Sequence, residues 1–233
     1  MEGRPPKETR PKETRPKGAW PKGAWPEDLP VFPLTGALLL PRGRLPLNIF
    51  EPRYLALVED ALAAGRLFGM IQPDRSRPAL AAGPALYRVG CLGRISSFSE
   101  TEDGRYLITL TGIGRFAVIK ELPMRRGYRR VRADFSPFAG DHDLWPGREL
   151  DRDALAARLR PYFERQRFEV NWNVIAAMPA EELVTTLAMI CPFAPAEKQA
   201  LLEAPEGGAR LSTLIALLDM ALAERGEATR LPG

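Results

Sequence analysis

Residues 29–65 constrain the fold more than any other stretch, because they carry two incompatible backbone periods back to back. Two short apolar runs, 31–34 and 37–40, are separated by Thr35-Gly36 and bounded by Pro30 and Pro41. Proline withholds a backbone donor, so these runs suit short strands and turns better than one helix. A helix then begins at Pro52, where a first helical residue tolerates the missing N–H. Tyr54, Leu55, Val58 and Leu62 recur on one helical face, and Gly65 stands where a left-handed C-terminal cap falls.

Residues 67–71 read as a strand closed by Gln72-Pro73, and 74–83 as a polar connection. Residues 85–98 form a long strand with breaks at Gly90 and Gly93, and Thr101-Glu102-Asp103-Gly104 is a hairpin turn. Residues 106–110 and 116–119 read as two strands around a Thr111-Gly112-Ile113-Gly114 bulge or tight corner, with 131–135 as the last strand. From Asp151 the period changes. Leu155, Leu159, Tyr162 and Phe163 share a helical face, with Asp151 or Asp153 as cap. Further helices follow at 181–190, at 195–203, and around Leu211, Leu214, Ile215, Leu218 and Leu222, with Ser212 near the last cap. Four helices on short links suit an antiparallel bundle. The expected class is α+β, a small β pseudo-barrel with one early helix over residues 27–140, then a C-terminal helical subdomain over 141–226, with a tail at 227–233.

Residues 1–26 repeat PKETR and then PKGAW in tandem and hold seven Lys or Arg against three Glu. Proline at this spacing blocks helices and sheet ladders, so the segment reads as a disordered basic arm in which Trp20 and Trp25 are the only anchors for a partner. Removing the arm from 33 basic and 29 acidic residues leaves 26 of each. The body is formally neutral, which is not the footprint of a general nucleic-acid binder. No apolar run reaches membrane-spanning length. The opening residues lack the apolar stretch of a secretory signal, leaving the cytoplasm as the expected compartment. Cys91 and Cys191 lie far apart and read as buried free thiols.

Catalytic chemistry is sparse. No phosphate-binding G-x-x-x-x-G-K-[ST] occurs, and Lys120 and Lys198, the lysines outside the arm, stand in no nucleophile motif. Asp141-His142-Asp143 holds the one histidine without a second histidine or cysteine at ligand spacing, so a solvated acidic turn is favoured over a metal site. Gly112-Ile113-Gly114 is half of a dinucleotide fingerprint and lacks the rest. The expectation is a non-enzymatic chain with no cofactor; hydrolysis at an unrecognised site is the remote alternative. Two surfaces are candidates for binding. Leu45, Leu47, Ile49 and Phe50, flanked by Glu51 and Arg53, offer a greasy groove for an extended peptide; core packing competes, and is favoured for Phe50. Arg125, Arg126, Arg129 and Arg130, with Arg132 beyond, offer an RNA contact with Tyr128 as stacking platform. The competing and favoured reading is an arginine-protected edge strand.

FPL at 32–34, LPLNIFEPRY at 45–54, LFGMIQP at 67–73, GRYLITLTGIGRF at 104–116 and MPAEELVTTLAMICPFAPAEKQALLEA at 178–204 occur in an order that resembles the amino-terminal domain of the Lon protease family. The resemblance covers roughly residues 29–224. It implies a PUA-like pseudo-barrel followed by helices, used by the full protease to engage substrates, here without the ATPase and protease modules. It also implies a module that binds polypeptide segments or a protein partner, as an adaptor or substrate-recognition factor in proteolysis or quality control. A Lon-type protease is then the implied partner. RNA binding by a PUA-like barrel is the alternative, and neither the residues nor the resemblance sets the oligomeric state.

Overall fold

The run beginning at Leu29 does enter a sheet: in the computed structural model, which describes residues 25–80, 82–142, 150–205 and 207–228, Asp28–Pro33 is strand β1. Residues 1–24, 143–149 and 229–233 lie outside the described residues, and with them most of the expected disordered arm, Asp143 of the expected acidic turn and most of the C-terminal tail. The second apolar run, 37–40, is not a strand. Leu38, Leu39 and Leu40 are nearly fully buried in irregular backbone that leads into β2, Arg44–Ile49. Helix α1, Pro52–Ala63, starts at its proline, and Gly65 adopts φ +91°, as the cap required.

Strands β3 (Leu67–Ile71), β4 (Val89–Glu100), β5 (Tyr106–Arg125) and β6 (Tyr128–Asp134) complete a mixed sheet in the order β2-β5-β4-β3-β1-β6. β1 runs parallel to β3, and the other neighbours are antiparallel. β5 is long enough to pair with β2 and β4 and then, farther along, with β6. The sheet thus curls back on itself while β2 hangs on β5 alone, a barrel-like sheet rather than a regular closed barrel. The bulge or tight corner expected at 111–114 is a bulge within a continuous β5: Leu92 pairs with Gly114 and Gly93 with Gly112, which leaves Ile113 as the extra residue. Gly112 serves another purpose, since a Cβ there would stand 2.0 Å from the Leu40 carbonyl oxygen. Its N–H donates to Gly43 O and its carbonyl accepts from Arg42 N, so the buried 38–43 segment is stitched flat against the strand.

A 3₁₀ stretch, Ser136–His142, leads toward the helices α2 (Arg152–Gln166), α3 (Trp172–Ala177), α4 (Ala180–Ile190), α5 (Pro195–Glu203) and α6 (Gly207–Ala228). Asp151 caps α2 as its position predicted, accepting from Ala154 N at 2.9 Å. The four expected helices are present; α3, six residues long, is additional. One apolar core runs through both parts, from Phe32, Leu39 and Leu57 to Leu159, Leu187 and Leu218. Polar contacts fix the rest of the junction. Gln72 donates to Pro195 O, Gln199 to Val89 O and Lys198 Nζ to Gly36 O. Cys91 and Cys191 are free and buried.

Candidate functional site

One apolar concavity is not among the surfaces that the sequence singles out. Helix α2 stops because Arg167 turns left-handed at φ +58°, allowing Phe168 N to donate to Phe163 O. The chain then doubles back. Asn171 caps α3 by accepting from Asn173 and Val174 N–H, and Arg152 donates to the carbonyls of Ile175, Ala176 and Met178 at the helix's other end. With both ends satisfied by side chains, α3 rests on the core through Trp172 and Ile175, which are only partly buried. Between α3, the end of α2 and α4 lies a groove of about 390 Å³ walled by Phe163, Phe168, Val174, Ile175, Met178 and Ile190.

Phe168, Val174 and Ile190 are 44%, 53% and 55% exposed. Apolar side chains in such numbers around one concavity leave water poorly satisfied. The groove meets a second hollow of about 530 Å³ at Thr186 and Ile190, which passes between α4 and the residues Arg42, Gly43 and Arg44 at the start of β2. Arg42 pairs there with Glu181. Asn171 followed by Val174, Ile175 and Met178 is a short cap-and-face signal, but only folding shows that this face is left uncovered.

The predicted β2 surface divides. Leu45 and Leu47 are half-buried against the core and Ile49 is 2% exposed, so the last is unavailable to a ligand. Phe50, for which core packing was favoured, is 60% exposed because it follows the last β2 residue at the sheet's rim. The guanidinium of Arg105 lies 5.7 Å from its ring, and Leu107 and Phe98 are exposed on neighbouring strands. Glu51 and Arg53, beside Phe50, pair with each other at 2.7 Å. β2 has no strand partner other than β5 among the described residues, and Pro46 within it suits an edge.

The arginine cluster is distributed through the fold and neutralised. Arg125 and Arg126 pair with Asp60, Arg126 also with Glu59, Arg129 with Glu121, and Arg130 and Arg132 with Asp28. Tyr128 is 1% exposed and donates to Asp60 at 2.6 Å, so its ring is not a stacking platform. Arg129 is buried and also donates to Pro84 O. Asp141 is likewise committed, to a buried ion pair with Arg115 at 2.6 Å. No group of residues suited to hold a metal occurs among the described residues, and none of their helices is long and apolar enough to cross a membrane.

Comparison with known proteins bears on what the groove serves. Residues 28–220 match the ATP-dependent protease La (LON) substrate-binding domain family. Lon protease 2 of Sorangium cellulosum is 29% identical over 202 residues, which is 82% of this chain and 24% of that protein. Lon protease 2 of Myxococcus xanthus is 26% identical over 201 residues, covering 82% and 23% respectively. The chain thus spans about a quarter of the length of these relatives. A Lon N-terminal domain protein from Xanthomonas campestris superposes with a TM-score of 0.56 at 26% identity, covering 81% of this chain and 97% of that one. The N-terminal domain of Mycobacterium avium complex Lon protease gives the same TM-score at 16% identity, covering 82% and 98%. With matches that span both the curled sheet and the helices, and that stop short of any ATPase or protease module, the chain belongs to the Lon substrate-binding domain family.

Proposed function

We propose that this domain recognises extended or unfolded polypeptide in the groove between α2, α3 and α4, as a non-catalytic substrate-recognition factor that works with a Lon-type protease in cytoplasmic quality control. The observation that carries the reading is the continuous apolar groove, which opens beside an edge strand in a domain of a substrate-binding family. Its apolar end takes large side chains of a bound segment, and the second hollow takes the backbone as it passes between α4 and Arg44. Phe50, with Leu45 and Leu47 behind it, extends the contact along β2, and Arg53 with Glu51 borders it.

Fluorescence anisotropy with reduced, carboxymethylated α-lactalbumin tests the proposal. Val174→Ser combined with Ile190→Ser removes two exposed groove walls and leaves the fold untouched, as matching thermal melts would verify. Losing two partly covered aliphatic contacts weakens binding by about tenfold or more. Unchanged affinity in the double variant sinks the groove assignment.

A further inference from the structure

Most arginines among the described residues have a carboxylate or carbonyl partner; Arg77 and Arg88, which line one hollow, are among those that do not. Arg77 lies in the loop between β3 and β4, which is folded back by a Pro73–Leu86 bridge and by Asp74 N donating to Ala85 O at 2.7 Å. Arg88 leads into β4, and its carbonyl accepts from Val118 N of β5 at 2.7 Å. Arg77, Tyr87 and Arg88 together line a hollow of about 530 Å³ on one side and a smaller one of about 140 Å³ on the other. Among the described residues neither guanidinium has an ion-pair or hydrogen-bond partner.

Of the nearby carboxylates Glu121 is paired with an arginine, whereas Asp74 and Glu203, which line the larger hollow, take neutral hydrogen bonds and keep their charge. Glu121 is held by Arg129 through both oxygens, Asp74 accepts from Ser76 N and Oγ, and Glu203 accepts from Gln199 Nε2. Two guanidiniums, each with donors arranged as a fork, are presented to solvent around one concavity. Leu80 and Ile119, on the rim of the smaller hollow, are 53% and 60% exposed.

We propose that the hollow around Arg77, Tyr87 and Arg88 is a second binding site, for an acidic segment of a partner polypeptide in which carboxylates alternate with apolar side chains. The carboxylates meet the two guanidiniums while an apolar neighbour covers Leu80 and Ile119. Asp74 and Glu203 line the larger hollow; they would oppose a continuous run of phosphates, but leave room for carboxylates spaced along a peptide. The apolar rim favours polypeptide for the same reason, since a nucleic-acid backbone offers it nothing. The site stands apart from the α2–α4 groove and does not rest on it.

The test uses the full chain and short fluorescein-labelled peptides in which Leu alternates with Glu, with Lys or with Ser, alongside labelled oligouridylate. The Glu peptide is expected to bind more tightly than the Ser peptide, and to weaken with added salt. Arg77→Ala with Arg88→Ala weakens the Glu peptide by about tenfold, from two partly screened charge pairs, and leaves the Ser peptide unchanged. Arg77→Lys with Arg88→Lys recovers part of the loss, because charge returns without the fork. The Val174→Ser and Ile190→Ser variant keeps the advantage of Glu over Ser, which separates failure of the groove from failure of this site. Equal binding of Glu and Ser peptides, or no loss in the double alanine variant, overturns the proposal. Oligouridylate that displaces the Glu peptide and is itself lost in the double alanine variant overturns it in favour of a phosphate site.

Discussion

Replacing Arg115 by methionine removes one charge from a site where almost every polar atom depends on it. The Arg115 side chain is 3% exposed and that of its partner Asp141 is 6% exposed. Its guanidinium also donates to the carbonyls of Leu202, Ala204 and Pro205, the otherwise unpaired C-terminal end of α5, and lies 4.6 Å from the Phe138 ring. Methionine fills much of the volume but leaves the helix end without these donors and the buried carboxylate with the residue-115 backbone N–H and no guanidinium. Breaking a buried pair from one side costs about 3–5 kcal/mol. For a domain of this size each kcal/mol moves the melting temperature by about 2–4 °C, so the expected loss is about 6–20 °C. Calorimetry on Arg115→Met, Asp141→Leu and the combination is the assay. The double variant is expected to melt above Arg115→Met, because deleting the stranded carboxylate removes the larger part of the penalty. An Arg115→Met melt within about 2 °C of the parent, less than the shift from 1 kcal/mol, would refute the reasoning. So would a double variant no more stable than the single one.

Other consequences are equally direct. Gly112→Ala drives a Cβ to 2.0 Å from Leu40 O, which is backbone and cannot rotate away, so urea titration should show a loss of about 1–3 kcal/mol or more. Burial first, and then the hydrogen bond to Asp60, push the Tyr128 hydroxyl from 10.0 up to about 12. The folded state therefore holds that proton more tightly than the unfolded one, and stability present below pH 10 is lost as pH rises toward 12. Tyr128→Phe should flatten that alkaline limb in pH-dependent urea titrations. The same hydrogen bond is the main cause holding Asp60 below its ordinary value; that stability is present above the usual carboxylate range and is lost as pH falls through the lowered value, so the deficit of the variant should shrink in acid. Burial raises both thiols, Cys191 to about 12 against the opposing pull of Lys198 and Cys91 farther still. Iodoacetamide near pH 8 should leave both unmodified in the native protein and label both in urea, as mass spectrometry will read; native labelling would contradict their burial.

Much of the fold was legible because the signals were local. Pro52, the Tyr54–Val58 spacing and Gly65 specify α1 through contacts within a turn or two, and Asp151 specifies the start of α2 in the same way. The misreadings all involve distant partners. Leu38, Leu39 and Leu40 look like a strand until Gly112 admits their backbone at close range. Residues 106–110 and 116–119 look like two strands until β5 is seen to run on through the Ile113 bulge between them. Phe50 looks like core until β2 places it at the rim, and Tyr128 like an exposed platform until Asp60, from α1, reaches its hydroxyl.

The sequence by itself determined the element types, the order of sheet then helices, the family and the lack of a recognisable catalytic motif, because periodicity, capping and proline placement act over a few residues. Only the tertiary structure decided which arginines are neutralised, which apolar faces stay uncovered and where a groove forms. Those properties depend on side chains far apart in the chain. Arg126 meets Asp60, Arg129 meets Glu121, and Phe168 and Ile190 wall one groove, while Arg77 and Arg88, eleven residues apart, come to line one hollow.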